Sequence, residues 1–423
     1  MTIGFLVQRK GFLKVMGSLI REAIERRHQV VLLRDPTERK PGEATVDGDF
    51  RHWPEARVVL HRRGERLLPL LRAEKVRVLV GPSLYQTLEG MPLGSELDAI
   101  RGEGVGLYAV DYVFETITSS PDAYRVLDRI FYTSEHQRRL HWDLLRDRFA
   151  VVARDVRLVE RSAVCGSTML DQLALVDRVA VKRRLGVAPE QPVVLLMSLK
   201  MAVPEPWRRY VWGGGPALVR AALAVSRGQA GLVPEIWKGN GYRTLAEAIR
   251  RFCRRTGAAF VVKSREKNRD PVFLRRLADV FVERDDEVFP YSSIQLMAVS
   301  DLCIHFQSGA VLEAAMAGVP SISIKVPQSH LHEYPGHQEI FGGGEGSLQN
   351  FPGIVWFSTH EAAGRLLDGR TLADFRPDPA ARRAYVERYL GFDDTRSSGR
   401  VLDVIESDVR VRLPVAPATA PPV

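Results

Sequence analysis

The stretch DLCIHFQSGAVLEAAMAGVP, residues 301–320, decides the fold of this 423-residue chain. It reads as a buried apolar strand, a Gln-Ser-Gly turn, a short helix and a Gly-Val-Pro exit. In an α/β sheet such a turn leaves the N–H groups of a helix start unpaired at the carboxyl end of a strand, where phosphate binds. Gln307, Ser308 and Gly309 are therefore a candidate anion site.

Glu313 extends this candidate site. It follows Ser308 by about one and a half helical turns, so its carboxylate reaches a ligand lying across the helix start, where ribose hydroxyls are natural partners. The alternative is an ordinary crossover in which Ser308 only caps the helix and Glu313 faces solvent. The local sequence leaves both interpretations open.

Strands and helices alternate on both sides of this stretch, which predicts parallel sheets covered by helices. The predicted strands are residues 2–7, 29–33, 76–80, 106–110 and 129–133 in the first half, and 193–197, 258–262 and 302–306 in the second. Between the halves, the segment from Gly166 to Asp171 changes character. We therefore predict an α/β protein with two Rossmann-like domains, residues 1–165 and 166–409, and a disordered tail at 410–423.

Composition excludes several classes of protein. The chain is 45% hydrophobic and 26% charged, and no apolar run approaches the roughly 20 residues of a membrane span. The start lacks the apolar core of a signal peptide, so the expected location is the cytoplasm. Cys165, Cys253 and Cys303 lack CxxC spacing, which indicates neither a disulfide framework nor a thiolate metal site.

The net charge of +9 raises the question of nucleic acid. Basic residues are mixed with acidic ones on the predicted helices, and no basic patch is interleaved with aromatic residues, so nucleic acid is not an expected partner. A solvated, mildly basic surface is the simplest interpretation. Attraction to anionic lipid, as a peripheral protein at the inner face of the membrane, or to phosphorylated substrates is the alternative.

A longer segment, residues 287–324, EVFPYSSIQLMAVSDLCIHFQSGAVLEAAMAGVPSISI, resembles the donor-binding half of GT-B nucleotide-sugar enzymes. The likeness is closest to surface-polysaccharide glycosyltransferases, CDP-glycerol glycerophosphotransferases and UDP-N-acetylglucosamine 2-epimerases. The segments VCGSTMLDQL (164–173), DRIFYTSEH (128–136) and YLGFDDTRSSGRVLDVI (389–405) extend the resemblance in the expected order. It implies two domains facing across a cleft, with the donor diphosphate at Ser308 and Gly309 and the ribose at Glu313.

Transfer chemistry in such a cleft needs two further kinds of residue. Positive side chains favour departure of the nucleotide, and Lys263, Arg265 and Lys200 follow predicted strands of the second half, with exposed surface cations as the alternative. An acceptor hydroxyl needs a base. Asp111 is the first candidate and Glu115 the second, both in VDYVFETI (110–117), and His136 is an alternative. The alternatives are a helix cap or a satisfied loop carboxylate for Asp111, and a capping or surface role, which the sequence favours over catalysis, for His136.

The chain also departs from these families. It reads VVKSREKN (261–268), with Ser264 where CDP-glycerol transferases carry a histidine, and the epimerase carboxylates and histidine have no clear match. The predicted function is therefore a glycosyltransferase that moves a sugar from a nucleotide-sugar donor to a surface-glycan or lipid-linked acceptor. No DxD motif is convincing, so neither metal nor cofactor is expected. The alternatives are a CDP-polyol phosphotransferase, a 2-epimerase-like enzyme and a non-catalytic nucleotide-binding protein.

Overall fold

The computed structural model of the chain describes residues 1–37, 44–62, 64–82, 93–110, 127–148, 160–198, 217–233, 242–264, 270–283, 287–325 and 342–412. Within these ranges the strands form two separate sheets, one in each half of the chain, and neighbouring strands in both sheets run parallel.

The first sheet has the spatial order β3-β2-β1-β4-β5-β6-β7. Its strands are β1 (Thr2–Val7), β2 (Gln29–Arg34), β3 (Arg57–Leu60), β4 (Val78–Gly81), β5 (Gly106–Val110), β6 (Arg129–Tyr132) and β7 (Ser162–Val164). The helices between them are α1 (Lys10–Glu25), α2 (Leu68–Ala73), α3 (Leu93–Gly102) and α4 (Glu135–Arg148). The central strands β1, β4 and β5 are buried along their whole length because helices cover parallel sheets on both faces.

The second sheet has the spatial order β10-β9-β8-β11-β12-β13. Its strands are β8 (Val193–Met197), β9 (Ala259–Lys263), β10 (Val280–Val282), β11 (Leu302–His305), β12 (Ser321–Ile324) and β13 (Val355–Ser358). The helices of this half are α5 (Arg178–Arg184), α6 (Ala217–Ser226), α7 (Tyr242–Thr256), α8 (Val272–Leu277), α9 (Ser292–Ala298), α10 (Ala310–Met316), α11 (His360–Leu367), α12 (Pro379–Tyr389) and α13 (Ser397–Arg412).

Each sheet has one point where the strand order reverses. In the first sheet β2 and β3 lie on one side of β1, and β4 to β7 lie on the other. In the second sheet β9 and β10 lie on one side of β8, and β11 to β13 lie on the other. Ligands of open α/β sheets bind at such switch points, beyond the carboxyl ends of the strands. The segments that leave β1 and β11 are therefore the places where the fold favours a ligand.

The last helix returns to the first sheet. Val401, Leu402 and Ile405 of α13 are buried in the same apolar cluster as α1 and β1. The helix runs to Arg412, so residues 410–412 are helical rather than part of the predicted tail, and residues 413–423 lie outside the described ranges. The domain division at residue 165 stays a prediction. No helix in the described ranges is long and apolar enough to span a membrane.

Candidate functional site

A sharp turn joins β11 to α10, in the order strand, turn and helix that the sequence predicted. Gln307 has a positive φ of 37°, which turns the chain sharply from the strand into α10. The Ser308 hydroxyl oxygen accepts a hydrogen bond from the Ala310 N–H at 3.2 Å, and Gly309 is the residue before the helix. The Ser308 hydroxyl therefore pairs one N–H group of the helix start although Gly309 is the N-cap residue, and the turn lies at the switch point of the second sheet.

Glu313 does not face solvent. It is 3% exposed, and its Oε1 accepts a hydrogen bond from the Lys14 ammonium. Its Oε2 is buried and, among the described residues, has no hydrogen-bond partner. Leaving a buried carboxylate oxygen unpaired costs about 1–3 kcal/mol. The site thus contains a buried acceptor atom to which a ligand hydroxyl could donate.

Lys14 is a candidate site residue that sequence reasoning missed. It lies on α1, which follows β1 at the switch point of the first sheet, whereas Glu313 follows β11. The contact between them therefore joins the two switch points. The Lys14 side chain is 17% exposed, and its ammonium lies 5.4 Å from the centre of the Tyr291 ring. No sequence signal links residues 299 positions apart.

The segment between the sheets holds α1 in this place. Gln172 donates from Nε2 to the Lys14 carbonyl at 2.6 Å and accepts from the Tyr291 N–H at 2.7 Å. The Thr168 hydroxyl donates to the Val15 carbonyl at 2.7 Å. These bonds fix the backbone of α1 against the second half, so the position of the Lys14 ammonium is determined by more than its own ion pair.

Lys263 is buried rather than a surface cation. It ends β9, is 3% exposed and donates from Nζ to the Ser264 carbonyl at 2.7 Å. The Ser264 hydroxyl donates to Asp270. Burial raises the pKa of Asp270 above its ordinary value, against the lowering effects of the hydrogen bond from Ser264 and the charge of Lys263. Because β9, β8 and β11 are neighbours, this polar group lies along the same edge of the sheet as Ser308.

His136 lies on α4, where its ring meets the ring of Tyr389 edge-on at a centroid distance of 5.4 Å. This contact joins the first sheet's helices to α12 and gives the histidine a packing role. Its catalytic role stays a prediction. The candidates Asp111, Glu115, Lys200 and Arg265 fall outside the described residues.

The adjacent aspartates near the end of α12 have structural partners. Asp393 accepts two hydrogen bonds from Arg382, at 2.7 and 2.8 Å, and Asp394 pairs with Arg400. Within the described ranges, no group of three His, Cys, Asp or Glu side chains is arranged to hold a metal ion. Asp393 and Asp394 thus stabilise the segment that connects α12 to α13.

The class of protein follows from its two parallel sheets. The side chains of Lys14 and Glu313 meet between the switch points of these sheets. The fold is of the GT-B type, in which two Rossmann-like domains face each other, and the predicted α/β class is confirmed. No protein-family model matches the sequence, and no curated protein sequence matches it significantly.

Solved structures of this class match the chain over nearly its whole length. UDP-GlcNAc 2-epimerase from Neisseria meningitidis, bound to UDP-GlcNAc, has a TM-score of 0.56 and 12% identity, covering 96% of this chain and 100% of that chain. The wall teichoic acid polymerase TagF has a TM-score of 0.56 and 10% identity, covering 98% and 90%. UDP-GlcNAc 2-epimerase from Methanocaldococcus jannaschii, in complex with UDP-GlcNAc and UDP, has a TM-score of 0.53 and 10% identity, covering 96% and 100%. Identities this low establish a common fold and nothing finer.

Proposed function

We propose that this chain is a glycosyltransferase that moves a sugar from a nucleotide-sugar donor to a surface-glycan or lipid-linked acceptor. The observation that carries the proposal is the buried Glu313 carboxylate, with one oxygen on Lys14 and the other unpaired among the described residues. A pair of adjacent ribose hydroxyls supplies two donors of the kind that a carboxylate accepts. Solved structures of this fold that contain UDP or UDP-GlcNAc support a nucleotide-sugar as the ligand.

In this proposal, different residues along the edge of the second sheet bind different parts of the donor. Ribose hydroxyls donate to Glu313, and the diphosphate lies at the turn of Ser308 and Gly309. When the ribose takes its place on the carboxylate, the Lys14 ammonium becomes available to the phosphates. Lys263 stabilises the negative charge that develops as the nucleotide departs, because a cation in a site shielded from water acts more strongly than one in bulk solvent.

Activation of the acceptor belongs to the first half of the chain in this proposal. Asp111 comes directly after β5 in the sequence and acts as the base that removes the proton of the acceptor hydroxyl. Glu115 and His136 are the alternatives. The proposal includes no metal ion, since the cations Lys14 and Lys263 supply the charge that phosphate departure needs.

A 2-epimerase-like activity is the second candidate. The 2-epimerases from N. meningitidis and M. jannaschii match over 100% of their own length, so the chain contains the whole of their fold. Ser264, in place of the histidine of CDP-glycerol transferases, argues against a polyol-phosphate transferase. A non-catalytic nucleotide-binding protein remains the third outcome to test.

One experiment separates these functions. Thermal shift with UDP, CDP, GDP and CMP first identifies the nucleotide, because a ligand that binds only the native state raises its stability. The matching labelled nucleotide-sugar is then incubated with and without a synthetic lipid-linked glycan. Sugar transfer that requires the acceptor supports a glycosyltransferase. Epimerised donor or free sugar released without the acceptor indicates an epimerase. Binding of the nucleotide without any turnover indicates a non-catalytic nucleotide-binding protein. Activity abolished by EDTA and restored by Mn²⁺ would contradict the metal-free part.

A further inference from the structure

A cavity of about 410 Å³ lies between the two halves of the chain. The first half contributes the last turns of α1 and the segment 52–55, and the second half contributes Leu175, Phe289 and Pro290. Ligand pockets in proteins have volumes of about 300–1,000 Å³ and occur preferentially where two parts of a structure meet. The cavity therefore has the size and the position of a site for a small molecule.

Three aromatic rings that contact one another line this cavity. The centroids of the Trp53 and Phe289 rings lie 5.1 Å apart, and the His52 ring meets both of them edge-on, at centroid distances of 5.9 and 6.1 Å. Aromatic rings pair favourably at such distances. A wall of this kind therefore favours a flat ring as the ligand.

Two of these rings carry nitrogen atoms without a hydrogen-bond partner. Trp53 is 2% exposed, and its Nε1 is buried with no partner among the described residues. The His52 Nε2 is likewise buried and unpaired there, and the Glu287 carboxylate, 4.0 Å from it, lies beyond hydrogen-bonding distance. An indole nitrogen only donates, and a buried donor without an acceptor is costly. The aromatic wall thus offers an N–H group to an acceptor atom of the ligand.

The charged residues around the cavity indicate that its ligand is uncharged. Among the described lining residues Arg21 and Glu25 pair with each other at 2.6 Å, so the exposed carboxylate of Glu55 is the excess charge. Burial and the charge of Arg51 lower the pKa of His52 below its ordinary value, so the imidazole is neutral at pH 7. An organic anion would meet the net negative charge of this lining. An organic cation would present no acceptor to the indole N–H.

We propose that this cavity binds an uncharged aromatic molecule that carries a carbonyl group. The ring of the ligand lies against the three aromatic side chains, and its carbonyl oxygen accepts a hydrogen bond from the Trp53 Nε1–H. The cavity is separate from the candidate nucleotide site, because Arg21 lies about two turns, or roughly 10 Å, beyond Lys14 along α1. The inference goes beyond the proposed function and does not depend on it.

The test titrates the full chain, labelled with ¹⁵N at tryptophan, with benzamide and with its charged analogues benzoate and benzylamine. The chain has six tryptophans, and the indole N–H resonance that is absent from the Trp53→Phe protein is that of Trp53. We expect benzamide to shift this resonance in a saturable way, and benzoate and benzylamine to bind several-fold more weakly.

The relaxation of the benzamide protons measures binding to each variant. Trp53→Phe should weaken this binding about fivefold, the usual scale for one hydrogen bond between neutral groups. Leu175→Trp, which narrows the cavity without removing a ring from the core, should weaken it as well. The matched control Trp142→Phe should bind benzamide as the wild type does, because the Trp142 Nε1 on α4 is also buried and unpaired among the described residues but does not line the cavity.

Four results would overturn the inference. The first is a Trp53 indole resonance that benzamide does not move. The second is equal benzamide affinity of the Trp53→Phe and Trp142→Phe proteins, and the third is a folded Leu175→Trp protein that binds benzamide as the wild type does. The fourth is tighter binding of benzoate or benzylamine than of benzamide, which would contradict an uncharged ligand. No nucleotide enters these measurements, so failure here would leave the proposed function standing.

Discussion

Replacing Glu313 with glutamine should weaken nucleotide binding by about 10- to 150-fold. The carboxylate is 3% exposed, so water does not compensate for a lost bond. A hydrogen bond to a charged group is worth about 1.5–3 kcal/mol, and 1.4 kcal/mol corresponds to a factor of ten in the dissociation constant. Glutamine keeps the volume and one acceptor oxygen, but it presents an NH₂ group where the second ribose hydroxyl needs an acceptor.

The same substitution should cost the free protein little stability. Lys14 is 17% exposed along its side chain, so its ammonium reaches water when the carboxylate is removed. The loss in the free energy of unfolding is therefore about 1 kcal/mol, near the upper end for ion pairs that solvent can reach. A folded variant with weakened binding is thus the expected outcome.

Isothermal titration calorimetry with the nucleotide chosen by thermal shift measures the effect. Glu96→Gln is a matched control, because Glu96 is also 3% exposed, pairs with Arg66 at 3.2 Å and accepts from the Leu67 N–H at 2.9 Å. It should lower stability and leave nucleotide affinity unchanged. An unchanged dissociation constant for a folded Glu313→Gln protein would refute the assignment of the ribose to α10 and remove the main support for the proposed function.

Three further predictions test other parts of the molecule. Gly17→Ala should lower the free energy of unfolding by about 1–3 kcal/mol in urea denaturation, because the new Cβ would lie 2.6 Å from a ring carbon of Phe289. The control Gly48→Ala, whose new Cβ would have no atom within 4 Å, should change the free energy of unfolding by less than about 0.5 kcal/mol. Lys263→Met should weaken binding of a nucleoside diphosphate far more than binding of the nucleoside. The control Lys182→Met, at a buried lysine bonded to two carbonyls, should affect the binding of neither ligand. Equal losses of affinity for both ligands in the Lys263→Met protein would exclude a contact of Lys263 with phosphate. Asp111→Asn should slow turnover by roughly 10²-fold or more with nucleotide affinity intact, and full activity would move the role of base to Glu115 or His136.

The central strands could be predicted because burial on both faces makes them continuous apolar runs. Residues 2–7, 106–110 and 193–197 match the observed strands at both ends. Strands β3, β7, β10, β12 and β13 were not predicted. They are three or four residues long, and β3 lies at an edge of its sheet with Leu60 51% exposed. Periodicity gives no signal in segments that short, and only the neighbouring strand's backbone defines them.

The candidate site, too, could be predicted only in part: local sequence patterns indicate some of its residues, and long-range packing determines the others. Ser308 and Glu313 are separated by one turn and a short helix, so their joint position follows from the local pattern. The burial of Lys263 does not follow from its neighbours in sequence, because a lysine at a strand end is usually exposed. Its burial arises from packing between neighbouring strand ends, as the contact of Lys14 with Glu313 arises from the meeting of two sheets.

The chain crosses between the sheets twice, and the two crossings support each other. Asp171 in the first crossing accepts hydrogen bonds from the Ser397 and Ser398 N–H groups, at 3.0 and 2.6 Å, and so caps the start of α13. Gly166 has a φ of 87°, and a Cβ there would collide with the Ser397 side chain. Gln172, in the same crossing, holds the backbone at Lys14. Because one short segment anchors both the returning helix and the lysine that meets Glu313, a nucleotide bound as proposed would displace only the side-chain contact of Lys14 and would leave these backbone anchors in place.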